Sequence, residues 1–315
     1  MYIGIDLGGT NIAAALVNAD GAIVKRAGIP TNVKGGTRVV VDRLIKVCGD
    51  LISGMDTMPL SIGIGVPGTV NAEKGEVIFT ANLPLSGIIL ADELQRRFGC
   101  PVYLGNDANC AALGETVAGG AKGAQDVVLI TLGTGLGGGI IIGGRLHTGI
   151  SGAAGETGHM TIVAGGRQCG CGRKGCWETY ASASGLIKTA TGYMETYPGS
   201  KLWELCGGDA GNVDGSKVFE AYREGDHAAQ LAVGEYIEYL AVGIANLINL
   251  LEPEMVCVGG GVSNAWDCLA EPLRAAVDAE KYTRYSEGLP QTRIVKAELG
   301  NDAGIIGAAM LGVRD

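Results

Sequence analysis

At 315 residues, 47% of them hydrophobic, the chain can bury a large core and is better suited to two lobes than to one. Its net charge of −9 disfavours nonspecific nucleic-acid binding, which relies on Lys and Arg neutralising phosphates, and a small-molecule substrate fits better. No uninterrupted apolar run approaches the roughly 18–20 residues that cross a bilayer, so no membrane partner is expected. Asp6 breaks the first apolar segment and no basic flank precedes it, which argues against a signal peptide. The nine cysteines then read as reduced thiols in a cytoplasmic protein.

The first thirty residues predict an antiparallel meander: apolar runs 2–7, 12–17 and 22–29, separated by Gly8-Gly9-Thr10 and by Asn18-Ala19-Asp20-Gly21. Helical periodicity covers 37–53, a continuous apolar strand covers 61–66, and Ser86 reads as the N-cap of a helix that ends at Phe98 before Gly99. A strand at 102–104 leads into a helical run over 108–118. A second meander opens with strands at 127–132 and 137–142, and its Ile130-Thr131-Leu132-Gly133-Thr134-Gly135 repeats the pattern of Ile5-Asp6-Leu7-Gly8-Gly9-Thr10. Helices are expected over 180–191, 216–224, 228–251, 264–279 and 303–311, with strands at 255–258 and 292–297. Strands alternating with helices give an α/β architecture. The 54 glycines far exceed the base rate of roughly 7%, and they cluster in loops after apolar strands, where backbone can approach a ligand.

Three constellations carry chemistry. His159, Cys169, Cys171 and Cys176 form a compact soft-donor set, interleaved with turn glycines, that suits tetrahedral Zn2+. All four positions would be filled by protein, so the metal would be structural. Glu156 and Glu178 lie just outside this cluster. The turns at Gly8-Gly9-Thr10 and Gly133-Thr134-Gly135 can offer backbone N–H groups and threonine hydroxyls to phosphate oxygens, and Asp6, on the strand before the first turn, can hold Mg2+ through water. Gly259-Gly260-Gly261, at a strand end, would floor a purine, with Gly260 as its centre. Asp107, between strand and helix, reads either as a helix N-cap or as a general base within reach of a substrate hydroxyl.

Five motifs in order, Asp6-Leu7-Gly8-Gly9-Thr10-Asn11, Gly105-Asn106-Asp107-Ala108-Asn109, Leu132 to Gly139, Gly155-Glu156-Thr157-Gly158-His159 and Cys169 to Glu178, make the whole chain resemble the ROK family of repressors, open reading frames and sugar kinases. The resemblance implies a two-lobed actin-like ATPase (ribonuclease H-like) fold with an interlobe cleft, in which ATP and a hexose meet. It implies lobes at 1–117 and 118–298, with the zinc segment at 159–176 and residues 299–315 returning to the first lobe. Asp107 would take the proton of the sugar 6-hydroxyl, and Gly68, Asn82, Asn106, Glu156, His159 and Glu178 would bind the sugar. Asp6, Gly8, Gly9, Thr10, Asn11, Gly133, Thr134, Gly135 and Gly260 would face ATP and Mg2+.

The implied activity is a hexokinase, foremost a glucokinase. Kinases of N-acetylmannosamine or fructose and a sugar-sensing repressor are the alternatives. The repressor needs a helix-turn-helix before the first strand, and a strand starting at Tyr2 leaves no room for one. A homodimer is the expected assembly. Thr157 stands where many relatives carry an aliphatic residue. Zinc would act as a fastener for the sugar-side groups, so its removal should fall on sugar affinity more than on nucleotide binding.

Overall fold

The computed structural model describes residues 1–285 and 288–313. In chain order the elements are β1 (Tyr2–Leu7), β2 (Asn11–Val17), β3 (Ile23–Pro30), α1 (Gly36–Ile52), β4 (Ile62–Val66), β5 (Thr69–Asn71), β6 (Glu76–Phe79), β7 (Ile88–Ile89), α2 (Leu90–Phe98), β8 (Val102–Asn106) and α3 (Asp107–Ala118). Then follow β9 (Val127–Leu132), β10 (Leu136–Ile142), β11 (Arg145–Leu146), α4 (Glu178–Ala181), α5 (Ala183–Thr196), α6 (Lys201–Leu205), α7 (Gly215–Arg223), α8 (His227–Leu251), β12 (Met255–Gly259), α9 (Trp266–Glu280), β13 (Arg293–Lys296) and α10 (Asp302–Met310). They build two five-stranded sheets, β3-β2-β1-β4-β8 and β11-β10-β9-β12-β13, and a three-stranded sheet β5-β6-β7.

The chain divides into two compact units. The first is 1–129 with 138–155 and 297–315, and the second is 130–137 with 156–296. The expected division at 117/118 is thus displaced: the first unit runs on to Leu129 and takes in most of β10 and all of β11. Arg314 and Asp315 of the expected returning segment, and Ser286 and Glu287 of the second lobe, lie outside the described residues.

In the first unit, β1 pairs antiparallel with β2 and parallel with β4, and β4 pairs parallel with β8. The period of two in a strand sorts the residues of β1 onto two faces. Ile3, Ile5 and Leu7 are fully buried in one core cluster with Val40, Leu44 and Leu51 of α1 and Leu90 and Leu94 of α2. Gly4 faces α10 so closely that a methyl group there would run into the Ile305 carbonyl oxygen, and Gly307 of α10 is pressed in the same way onto the Cys110 carbonyl of α3. Many of the glycines therefore serve backbone-to-backbone packing rather than ligand approach. At the return of the chain into this unit, the buried Glu115 side chain accepts the backbone N–H groups of Gly120, Glu298 and Leu299 at 2.8–3.0 Å.

The second unit is organised around α8, whose Ala229, Val233, Tyr236, Leu240 and Ile244 are buried and which packs against α4, α5, α7 and α9. Its 25 residues reach the length and mean hydropathy (1.4) of a membrane span, although no apolar run in the sequence is uninterrupted. Burial of 61% of its most apolar window within the fold accounts for that composition.

The structure corrects several sequence expectations. Ser86 does not cap a helix: α2 starts at Leu90, and the Ser86 hydroxyl instead accepts the Thr80 N–H at 3.1 Å, closing the loop between β6 and β7. The short strands β5 to β7 were not expected, being only two to four residues long. The single helix expected over 180–191 is two, because Ser182 stops α4 and caps α5 by accepting the Gly185 N–H at 3.1 Å. The helix expected from Asn264 begins as a 3-10 turn over Gly261–Ala265, and α9 proper starts at Trp266.

Candidate active site

In the first unit, strand alternation puts Asp6 on the same face as Gly4, beside Gly304 of α10. Burial, and then the charge of Asp107, push the Asp6 carboxyl up to about 6. Asp107 itself is not the helix cap. Asn106 takes that role, its Oδ1 accepting the Asn109 N–H at 3.1 Å, while its Nδ2 donates to the Gly68 carbonyl at 3.1 Å. Asp107 thus stands at the first position of α3, with Oδ1 against the Ala108 N–H at 2.9 Å. Gly68 has a φ of 145° and meets Phe79 so closely that a methyl group would collide with the Phe79 carbonyl oxygen. Asn82 is exposed and lies next to Gly9. The turn after β1 is closed by the Gly8 N–H donating to the Asn11 carbonyl at 3.0 Å, and is tied to the end of β3 by the Thr31 hydroxyl on the Gly8 carbonyl at 2.6 Å. Thr10 and Asn11 are exposed.

In the second unit, the donor atoms of His159, Cys169, Cys171 and Cys176 all lie within 4.8 Å of one another. The Cys169 Sγ to His159 Nδ1 and Cys171 Sγ to Cys176 Sγ separations are both 3.7 Å. Thiolates about 2.3 Å from a tetrahedral ion stand about 3.8 Å apart, so the set fits a four-coordinate metal. Left-handed Gly172 and Gly175 turn the chain between these donors. The adjoining Trp177 is fully buried, donates Nε1–H to the Tyr239 carbonyl at 2.8 Å and anchors the loop to α8. Arg167 stacks on Tyr180 at 4.5 Å and donates to the Thr179 carbonyl and the Thr189 hydroxyl.

Glu178 is half-buried beside the cluster, and its Oε2 accepts the Leu136 N–H at 3.0 Å. Glu156 is exposed and its carbonyl accepts the His159 N–H at 3.1 Å. Thr157 is buried with its hydroxyl unpaired among the described residues. The turn after β9 is closed much as the first is, by the Gly133 N–H on the Gly135 carbonyl at 3.0 Å. Gly133 and Thr134 line a cavity of about 460 Å3 together with Ser216 and Phe219 of α7, Arg223 and Asn264.

Gly260 does not line this cavity. It packs directly on the Leu132 backbone, and Gly261, Val262 and Ala265 form the wall instead. The wall residues of α7 escaped the sequence reading, since one amphipathic helix in a helical stretch carries no distinguishing pattern. Asp214, which caps α7 through the Lys217 N–H at 2.9 Å, together with Gly215-Ser216, was the available sign of a helix start.

With this geometry established, the ROK family profile matches residues 2–314, and the chain belongs to the ROK family. It is 38% identical to a glucokinase of Halalkalibacterium halodurans over 98% of this chain and 94% of that protein. It is 32% identical to a xylose repressor of Caldicellulosiruptor bescii over 99% of this chain and 78% of that protein. Among solved structures, a ROK family glucokinase from Streptomyces griseus in complex with glucose and AMPPNP superposes with a TM-score of 0.79 at 36% identity, covering 100% of this chain and 99% of that one. The fold is accordingly the α/β actin-like fold of the ROK sugar kinases.

Proposed function

We propose that the chain is an ATP-dependent hexose kinase that phosphorylates the 6-hydroxyl of glucose, its two compact units serving as the two lobes. The observation that carries this reading is the placement of Asp107. The capping of α3 falls to Asn106, so the Asp107 carboxylate is held at the helix start for proton transfer. Near-full-length identity to a glucokinase supports glucose over other hexoses.

Asp107 accepts the proton of the attacking hydroxyl. Gly68, Asn82, Asn106, Glu156, His159 and Glu178 bind the remaining hydroxyls, carboxylates accepting from vicinal pairs. The Gly133-Thr134-Gly135 turn serves the phosphates, backed by Gly260, and the cavity beside it takes the nucleotide base. Gly9, Thr10 and Asn11, with Gly8 closing their turn, serve the phosphates. Phosphoryl transfer asks little more than this in-line positioning and charge neutralisation.

The like-charged pair Asp6 and Asp107 fits a divalent cation, which relieves their repulsion, and Asp6 would hold Mg2+ through water. A cation held there would supply neutralisation of charge developing on the transferred phosphoryl group. The thiol and imidazole donors at 3.7 Å spacing fit structural zinc, held by His159, Cys169, Cys171 and Cys176. Among the described residues none of the nine cysteines is in a disulfide, in keeping with a cytoplasmic setting. The homodimer implied by the family is part of the same reading and is measured by light scattering.

A coupled ADP-release assay with glucose, fructose and N-acetylmannosamine, and with polyphosphate as a second donor, tests the proposal. Turnover on glucose above the other sugars is expected. Tight glucose binding without ADP release from any hexose would replace the kinase by a sugar sensor.

A further inference from the structure

The segment from Glu178 to Ser184 grips the turn between β9 and β10 at three points. Glu178 Oε2 accepts the Leu136 N–H at 3.0 Å, the Ala183 N–H donates to the Gly133 carbonyl at 2.8 Å, and the Ser184 hydroxyl donates to the Thr134 carbonyl at 2.8 Å. The grip is tight, because a methyl group on Gly135 would run into Glu178 Oε2. The near end of the same segment is the cysteine cluster. Cys176 precedes Glu178 by two residues in the sequence, and the Cys169 thiol lies 3.8 Å from Glu178 Oε1. One carboxylate therefore faces the Cys169 thiol with one oxygen and holds the turn with the other.

We infer that Glu178 and Ser184 are positioning residues for the nucleotide phosphates, and that a metal ion held by His159, Cys169, Cys171 and Cys176 sets the affinity of the Gly133-to-Leu136 turn for them. The inference rests on the reading of that turn as phosphate-binding. A turn whose peptides are fixed in advance loses less freedom when it binds, so whatever fixes it contributes to affinity. Four ligands on one ion tie the loop from His159 to Cys176 to itself, and with it the start of α4, where Glu178 sits. Ser184 holds the turn from the other end of the segment. It is exposed, so its removal spares the fold.

The test titrates mant-ADP into the full chain in four forms: metal-loaded, chelator-stripped with metal content verified, Ser184→Ala and Ser184→Thr, each checked for folding by circular dichroism. Ser184→Ala is expected to weaken mant-ADP by about fivefold, the worth of one hydrogen bond, with the KM for hexose unmoved and Ser184→Thr restoring most of the loss. Stripping the metal is expected to weaken it further, so that metal loss reaches nucleotide binding as well as the sugar-side groups on which its effect was expected mainly to fall. Ser184→Ala should then add less than it does in the loaded protein, since both changes act on one element. Equal mant-ADP affinity in folded loaded and stripped protein, or full affinity in Ser184→Ala, overturns the inference. If the loaded wild-type chain binds no mant-ADP at all, the phosphate-turn reading fails, and the inference falls with it.

Discussion

The charge of Asp107 adds to burial in holding the Asp6 carboxyl well above the ordinary carboxylate range, at about 6. The sign of the resulting pH dependence is fixed by linkage. A carboxyl whose folded pKa is raised supports the fold fully below the unfolded value of 3.8, and that support is lost as pH rises through about 6. In protein free of divalent cations, Asp6→Asn is therefore expected to match wild-type stability at pH 4 and exceed it at pH 7.5. Thermal melts at both values check this, and an equal difference at the two would refute it. Mg2+ should narrow the gap at pH 7.5 by stabilising the ionised pair.

Asp107→Asn is expected to lower turnover by about 10²- to 10⁴-fold, the range of general-base catalysis, while glucose binding stays measurable. The helix cap lies on Asn106, so the melting temperature should move little. Calorimetric glucose titration beside the rate assay separates the two effects, and near-normal turnover would remove Asp107 as the base.

Asn106→Ala has the opposite profile. It deletes the cap of α3 and the bond to the Gly68 carbonyl together, and is expected to cost about 1–2 kcal/mol in urea denaturation and to raise the KM for glucose.

Thr157→Val is expected to stabilise the chain by about 1 kcal/mol, because the buried hydroxyl it removes has no partner among the described residues. A melting temperature at or below wild type would show that the hydroxyl is satisfied in solution.

Gly307→Ala places a methyl group on the Cys110 carbonyl where α10 crosses α3. Neither backbone can yield cheaply, so a loss of about 3 kcal/mol or more is expected, read from urea denaturation of the soluble fraction.

The long periodic and apolar segments were legible in the sequence, because β1, β4, β9, α8 and β12 are each set by their own hydrophobic pattern. The soft-donor cluster was legible too, since its residue types and turn glycines are local, and His159, Cys169, Cys171 and Cys176 converge in the structure. What stayed hidden depends on tertiary contact. Asp107 was the cap the sequence offered for α3, and the role falls instead to Asn106, which is held between the Gly68 carbonyl and the Asn109 N–H. Glu178 read simply as a sugar-side acid, yet its Oε2 is engaged by Leu136, 42 positions away. The helix over 303–311 was expected, but the close packing of its Gly307 on the Cys110 carbonyl of α3 was not, because that contact joins segments far apart in the chain.

The return of the chain into its first unit sets an order on its biosynthesis. The face of β1 that carries Gly4 and Asp6 has no backing until α10, at Asp302–Met310, has left the ribosome, whereas residues 156–296 of the second unit emerge as one uninterrupted stretch. Domains fold as units as they appear, so the part that begins last finishes first. The strands made earliest therefore wait with their Gly4 and Asp6 face uncovered until that helix arrives.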